Sequence, residues 1–150
     1  MSDVSLEQCV VRIGIDVQWR DMDALGHVNN AEYIRWFESA RIEALMRVKL
    51  TEDSGTLSNA KRLGPILASI SCNYYVPVVF PDRVDIGAYV TRIGKSSFNL
   101  AYVAVRQSDN LVVARGDSVV VQYDYDAQKS APLNAETRTA IEALMVSSNS

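Results

Sequence analysis

The amino-acid sequence predicts an α+β domain in two layers, with a helix laid on an antiparallel sheet. Three observations lead there. Apolar residues alternate with a period of two in five separate stretches, the mark of half-buried strands. Between the first and second stretch the period lengthens to that of a helix, and a shorter helical run closes the chain. The connections among the last three strands carry tight-turn residues, as in a meander of hairpins.

In chain order, Val11, Ile13, Ile15, Val17 and Trp19 alternate with polar or small residues and predict the first strand. From Ala31 to about Val48 the positions Tyr33, Phe37, Ala40, Ala44 and Val48 share one helical stripe, which Trp36 and Leu45 widen. The opposite face carries Glu32, Arg35, Glu38, Arg41, Glu43 and Arg47, with opposite charges at i,i+3 and i,i+4 spacing. Ala40 and Ala44 are small enough for a sheet to approach closely. Residues 51–64 form the one long polar connection. The second strand takes Ile66, Ala68, Ile70, Cys72, Tyr74 and Val76 as its apolar set, until Pro77 and Pro81 bracket a break. Strands through Val84–Val90, Ser97–Arg106 and about Leu111–Tyr125 follow, joined by turns at Gly94-Lys95 and Asp109-Asn110. Asn134 is a cap for a last helix over about Ala135–Met145, and the tail 147–150 is expected to fray. Five long strands on one helix leave open sheet edges and a poorly covered face, so a homodimer or a dimer of dimers is expected.

Composition narrows the function. The chain has 150 residues, 48% hydrophobic and 22% charged, enough for one domain with a substantial core. Fifteen basic and 18 acidic residues leave a net charge of −3, which gives no reason to expect nucleic acid or an anionic membrane as partner. No apolar run reaches the ~18 residues that span a bilayer, and the first residues do not read as a signal peptide, so a cytoplasmic protein is expected. Cys9 and Cys72 match no metal spacing and read as free thiols.

Chemistry gathers in one place, QWRDMDALGHVNNAEYIRWFESAR at 18–41. Asn29 can cap the helix, with Glu32 reaching back in a capping box. Asn30 then takes the first helical position, where the backbone N–H has no intrahelical partner. A free N–H at the positive end of a helix dipole suits a carbonyl becoming an oxyanion. A cap without further function explains Asn29 and Glu32 equally well. In an extended loop Asp21 and Asp23 point to opposite sides, so at most one faces a pocket beside the helix start. His27, the only histidine, has no serine or cysteine nucleophile beside it to form a triad, and too few ligands surround it for zinc.

The motif WRDMDALGHVNNAEYIRWFESAR closely resembles the opening motif of the hotdog-fold acyl-CoA thioesterases, the 4-hydroxybenzoyl-CoA thioesterase-like superfamily. The resemblance extends over most of the chain: the D-x-D-x-x-G-H-V-N-N loop, the central helix, then four antiparallel strands. It implies a hotdog fold, a five-stranded antiparallel sheet wrapped around the central helix plus a C-terminal helix, in one domain over 1–150. The activity it implies is hydrolysis of an acyl-CoA to free acid and coenzyme A. Asp23 then acts as nucleophile or as general base, and the Asn30 backbone N–H polarises the thioester carbonyl. Coenzyme A enters as part of the substrate; no cofactor and no metal are implied. The related plant acyl-carrier-protein thioesterases have an asparagine where Leu25 stands here, so their catalytic histidine carries over to His27 only as a possible role. Gly26, Val28 and Tyr33 beside the loop are candidate substrate contacts.

RIGKSS at 92–97 looks at first like a phosphate loop, but Tyr89 stands where the first glycine of that motif belongs and the stretch joins two strands. It reads as a hairpin turn. By the same resemblance Lys95, Ser96 and Ser97 border the path of coenzyme A. Two rival functions stay open: a hotdog protein that binds acyl-CoA without hydrolysing it, and a hotdog dehydratase or hydratase, which needs a histidine–acid pair.

Overall fold

The computed structural model describes residues 3–50 and 63–146. The long polar connection, apart from its last two residues, and the 147–150 tail lie outside them. The elements are β1 (Val11–Asp16), α1 (Asn30–Arg47), β2 (Leu63–Tyr74), β3 (Arg83–Ile93), β4 (Ser97–Arg106), β5 (Leu111–Asp124), β6 (Lys129–Ser130) and α2 (Ala135–Glu142), with short 3-10 turns at Leu6–Gln8 and Trp19–Asp21. The strands form one antiparallel sheet in the order β1-β3-β4-β5-β2, and the two-residue β6 pairs with the end of β5. The sheet curls as a half-barrel around α1, the hotdog arrangement. The brief β6 is the one strand that the sequence pattern does not indicate, because two exposed residues carry no period.

The meander is as the turn residues predict. Gly94 N–H donates to Ser97 O across one hairpin (2.7 Å), and Asn110 takes the left-handed conformation (φ 61°) in the other. Val84, Ile86, Ala88 and Val90 are all buried, one face of β3 presented to the core. Across from them lies the apolar stripe of α1, with Phe37 and Ala40 fully buried. Phe37 stacks on Tyr102 of β4 at 4.8 Å between centroids, 7° from parallel. It also lies over Gly116 of β5, where a Cβ would sit 2.6 Å from its ring and 2.7 Å from the Ser71 carbonyl oxygen. Glycine is required there by close approach, and that approach seats the helix.

Four local expectations are corrected. β1 stops at Asp16, and Trp19, expected on its inward face, starts a 3-10 turn and is 73% exposed. The turn forms because the Asp21 carboxylate accepts from Gln18 N–H (2.8 Å), which closes the chain on itself. A register shift between Leu67 and Ser69 leaves Ala68 unpaired and exposed, so β2 breaks its alternation there. Arg41, assigned to the outer face of α1, is buried at 6% exposure. Its Nη1 donates to the Tyr102 hydroxyl (3.2 Å), which shares a 2.7 Å hydrogen bond with Ser118 Oγ. A guanidinium on a long stem reaches a buried hydroxyl that helical spacing cannot show. Lastly, the capping box does not form, because Asn29 N–H donates to Asp21 O (2.9 Å) and Glu32 lies beside Arg35 instead (3.7 Å).

α2 is capped by Asn134, whose Oδ1 accepts from Thr137 N–H (2.7 Å), and it ends at Glu142. The chain then runs beside β3 beyond its pairing with β1, where Val90 N–H donates to Leu144 O and Val90 and Met145 form a parallel bridge. β2 forms one border of the sheet, pairing only with β5 among the described residues, with Leu67 and Tyr74 exposed on it.

Candidate active site

The loop before α1 is held by its own backbone. Asp23 N–H donates to His27 O (2.9 Å), and Gly26, in the left-handed conformation at φ 83°, donates to Asp23 O (3.0 Å). Val28 N–H donates to Val78 O (2.8 Å), tying the loop to the segment between β2 and β3. The two acids are thereby separated in kind. Asp21 is engaged twice, by its carboxylate on Gln18 and by its carbonyl on Asn29. Asp23 is exposed; one oxygen accepts from Leu25 N–H (2.9 Å), and the other has no partner among the described residues.

At the helix start the donors are used unequally. Ala31 N–H donates to Asn29 Oδ1 (2.9 Å) and Glu32 N–H to Asn29 O (2.9 Å). Asn30 N–H, the first in the helix, has no acceptor among the described residues, and Asn30 lines a cavity of about 210 Å³. The other walls are His27, Val28 and Tyr33 on one side, and Tyr74, Tyr75, Val76 and Pro77 on the other. Tyr33 meets Tyr74 edge to face at 4.9 Å. Burial pushes the Tyr33 hydroxyl upward; burial and then the Cys72 thiol push that of Tyr74 up to about 12. Both phenols stay protonated at neutral pH, so this part of the wall is uncharged and partly apolar, beside the residue that carries the unpaired N–H.

Pro77 is held from behind. Arg106, paired with Asp109 at 2.8 and 2.7 Å, donates to the Pro77 carbonyl (2.6 Å). That pairing holds the Asp109 carboxyl below its usual range and spends the charge of Arg106.

Of the residues singled out in the sequence, His27, Val28, Asn30 and Tyr33 thus share one cavity. Asp23 and Gly26 lie outside its lining, one hairpin hydrogen bond away from His27. Lys95, Ser96 and Ser97 are elsewhere in the chain's own fold. Ser97 pairs with Val121 and Tyr74 with Ala114, seven positions apart along β5 or roughly 23 Å. The segment 74–77 is the wall that pattern reading misses. Its signal was available, since two adjacent tyrosines before a proline break the alternation of β2.

Among the described residues no three His, Cys, Asp or Glu side chains gather as a metal site. The family model of the thioesterase-like superfamily matches residues 17–141, which include the loop, α1, all of α2 but its last residue, and every long strand but β1. The chain belongs to the thioesterase-like superfamily. A curated relative, the long-chain acyl-CoA thioesterase FadM of Escherichia coli, is 28% identical over 131 residues, 87% of this chain and 96% of that one. Among solved structures, the PA5185 protein of Pseudomonas aeruginosa superposes with a TM-score of 0.79 at 29% identity, over 95% of this chain and 96% of that one. A thioesterase of Thermus thermophilus, solved with coenzyme A and zinc, gives 0.74 at 29% identity, over 89% and 98%. This superfamily member is thereby placed among the thioester hydrolases, and the two-layer fold is that of its hotdog relatives. No helix among the described residues is long and apolar enough to cross a membrane.

Proposed function

We propose that this protein hydrolyses an acyl-CoA thioester to the free acid and coenzyme A. The observation that carries the reading is the Asn30 N–H at the start of α1, without an acceptor among the described residues, on a residue that lines the cavity. A thioester carbonyl placed there gains a hydrogen bond that strengthens as negative charge develops on its oxygen. The FadM relative acts on long-chain acyl-CoA and the Thermus structure holds coenzyme A, which supports this substrate class.

Asp23, with one free carboxylate oxygen, is the group for the second role. As general base it takes a proton from water, whose oxygen bonds to the carbonyl carbon. The C–S bond then breaks, and the proton passes to the departing thiolate. As nucleophile it forms an acyl anhydride that water opens, with the same products. His27 orders the loop through its carbonyl and lines the cavity.

The site is completed by a second copy. The long border strand β2 is open on one side among the described residues, and two such strands paired antiparallel about a dyad exchange their ends. That brings the 95–97 hairpin of a second copy to the cavity end of the first, where Lys95 meets the phosphates of coenzyme A. A homodimer or a dimer of dimers follows.

A panel of acyl-CoA esters, aromatic and aliphatic, assayed for thiol release tests the proposal. Saturable release with at least one ester is expected. Binding of esters without release overturns it in favour of a binding protein.

A further inference from the structure

The last side chain of β2 touches the helix start at two points. Tyr74 is paired in its backbone to Ala114 of β5, the sheet interior, and beyond it the N–H groups of Tyr75 and Val76 both turn to Val113 O. From this anchored position its hydroxyl donates to the carbonyl of Asn30 (3.1 Å), and the edge contact between its ring and Tyr33 falls one turn further along α1. We propose that Tyr74 is a positioning residue for thioester hydrolysis, its hydroxyl holding Asn30 so that the backbone N–H of that residue keeps its aim at the substrate carbonyl.

The physical case starts from the weakness of helix ends. The first residue of a helix has no hydrogen bond of its own N–H to hold it, and helix ends fray. Here the Asn29 cap engages Ala31 and Glu32 but leaves Asn30 free, as an oxyanion donor must be. Something other than the donor itself has to fix that residue. The Asn30 carbonyl has two lone pairs, one for the helix ladder and one left over, and the Tyr74 hydroxyl occupies an acceptor position on it without consuming the donor. Tyr74 is 42% exposed, its hydroxyl lies against Asn30 and Cys72, and its upward shift to about 12 keeps it a donor throughout the working range. A misplacement of the N–H by a fraction of an ångström weakens its bond to the oxyanion more than to the ground-state carbonyl, so the loss falls on kcat.

This role rests on the hydrolysis proposed above, and its test separates the two. In Tyr74→Phe the ring and the Tyr33 contact stay and only the hydroxyl goes. The expected result is a fall in kcat of about tenfold, with KM within about twofold and the shape of the pH–rate profile unchanged. The second readout is the infrared carbonyl stretch of a bound, carbon-13-labelled ketone analogue of acyl-CoA, in which a methylene separates sulfur from carbonyl. The stretch is expected to shift to lower frequency on the wild-type protein and to recover part of that shift in Tyr74→Phe. A variant that melts earlier while keeping kcat and the carbonyl frequency has lost a merely structural contact, and this overturns the role. So does a wild-type complex with no shift. The spectrum needs no turnover: a protein that releases no thiol, yet shows the shift and its partial loss in Tyr74→Phe, overturns hydrolysis and keeps the positioning.

Discussion

Along α1 the same helix meets the same sheet in two different ways. At its first turn the helix meets the end of β2 through Tyr74 beside a cavity, the first N–H has no acceptor among the described residues, and the lining mixes tyrosines and His27 with Val28, Val76 and Pro77. Two turns further on helix and sheet are close-packed: Phe37 is stacked on Tyr102 over Gly116, and Arg41 is buried against the Tyr102 hydroxyl. The first region leaves an exposed donor that water or a ligand can use; the second satisfies its buried polar groups within the chain and packs closely. Under the proposed function, catalysis and stability fall to different turns of one element, and substitutions in the two turns should separate kcat from folding.

The largest effect is expected in the open region. Asp23→Asn should lower kcat by roughly two to four orders of magnitude, the range of a lost acid–base group, while the unfolding midpoint hardly moves. Asp21→Asn should do the reverse in proportion, weakening the bond to Gln18 N–H and lowering the midpoint, with a smaller loss of rate. Equal losses of kcat in the two variants would break the distinction between these acids.

In the closed region Gly116→Ala should cost about 1–3 kcal/mol, because the new methyl meets a ring and a backbone oxygen that cannot both retreat. Urea unfolding measures it. The folded fraction should keep its kcat, and a selective loss of kcat would mean that the seating of Phe37 reaches the cavity. Tyr102→Phe should follow with about 1 kcal/mol, since it takes from Arg41 and Ser118 the hydroxyl that joins them. A neutral outcome would show that Arg41 is satisfied without that bond.

The smallest effect is expected back at the cavity. His27→Gln should lower the rate by less than about tenfold and leave the shape of the pH–rate profile as it was, because among the described residues the loop is held through the backbone carbonyl of His27. A catalytic histidine would put its own titration into that profile, and a variant as inactive as Asp23→Asn would reverse the assignment.

What could be read beforehand follows from range. The stripe Tyr33, Phe37, Ala40, Ala44, Val48 and the buried face of β3 were legible because burial on one side repeats with the geometry of the element itself. Asn30 was legible for a similar reason, since the first N–H of any helix lacks an internal partner. Trp19 misled because alternation continues in the letters after the strand has ended, and a single bond from Gln18 to Asp21 decided that end. Glu32 misled because its spacing allows a capping box, while a carbonyl from Asp21 had already taken the Asn29 N–H.

By itself, then, the sequence determined the order and kind of the long elements, the hairpin turns and the place of the cap, all properties of residues within a few positions of one another, and it singled out the loop before α1 as the candidate site. Only the tertiary structure decided which acid keeps a free oxygen, that Arg41 turns inward to Tyr102, and that Tyr74 comes from the far end of β2 to close the cavity and hold Asn30. Those outcomes depend on which distant group reaches a given donor or acceptor first. A polar group can be satisfied by any partner of the right kind, so its choice is settled by the packing of the whole chain and not by its neighbours in sequence.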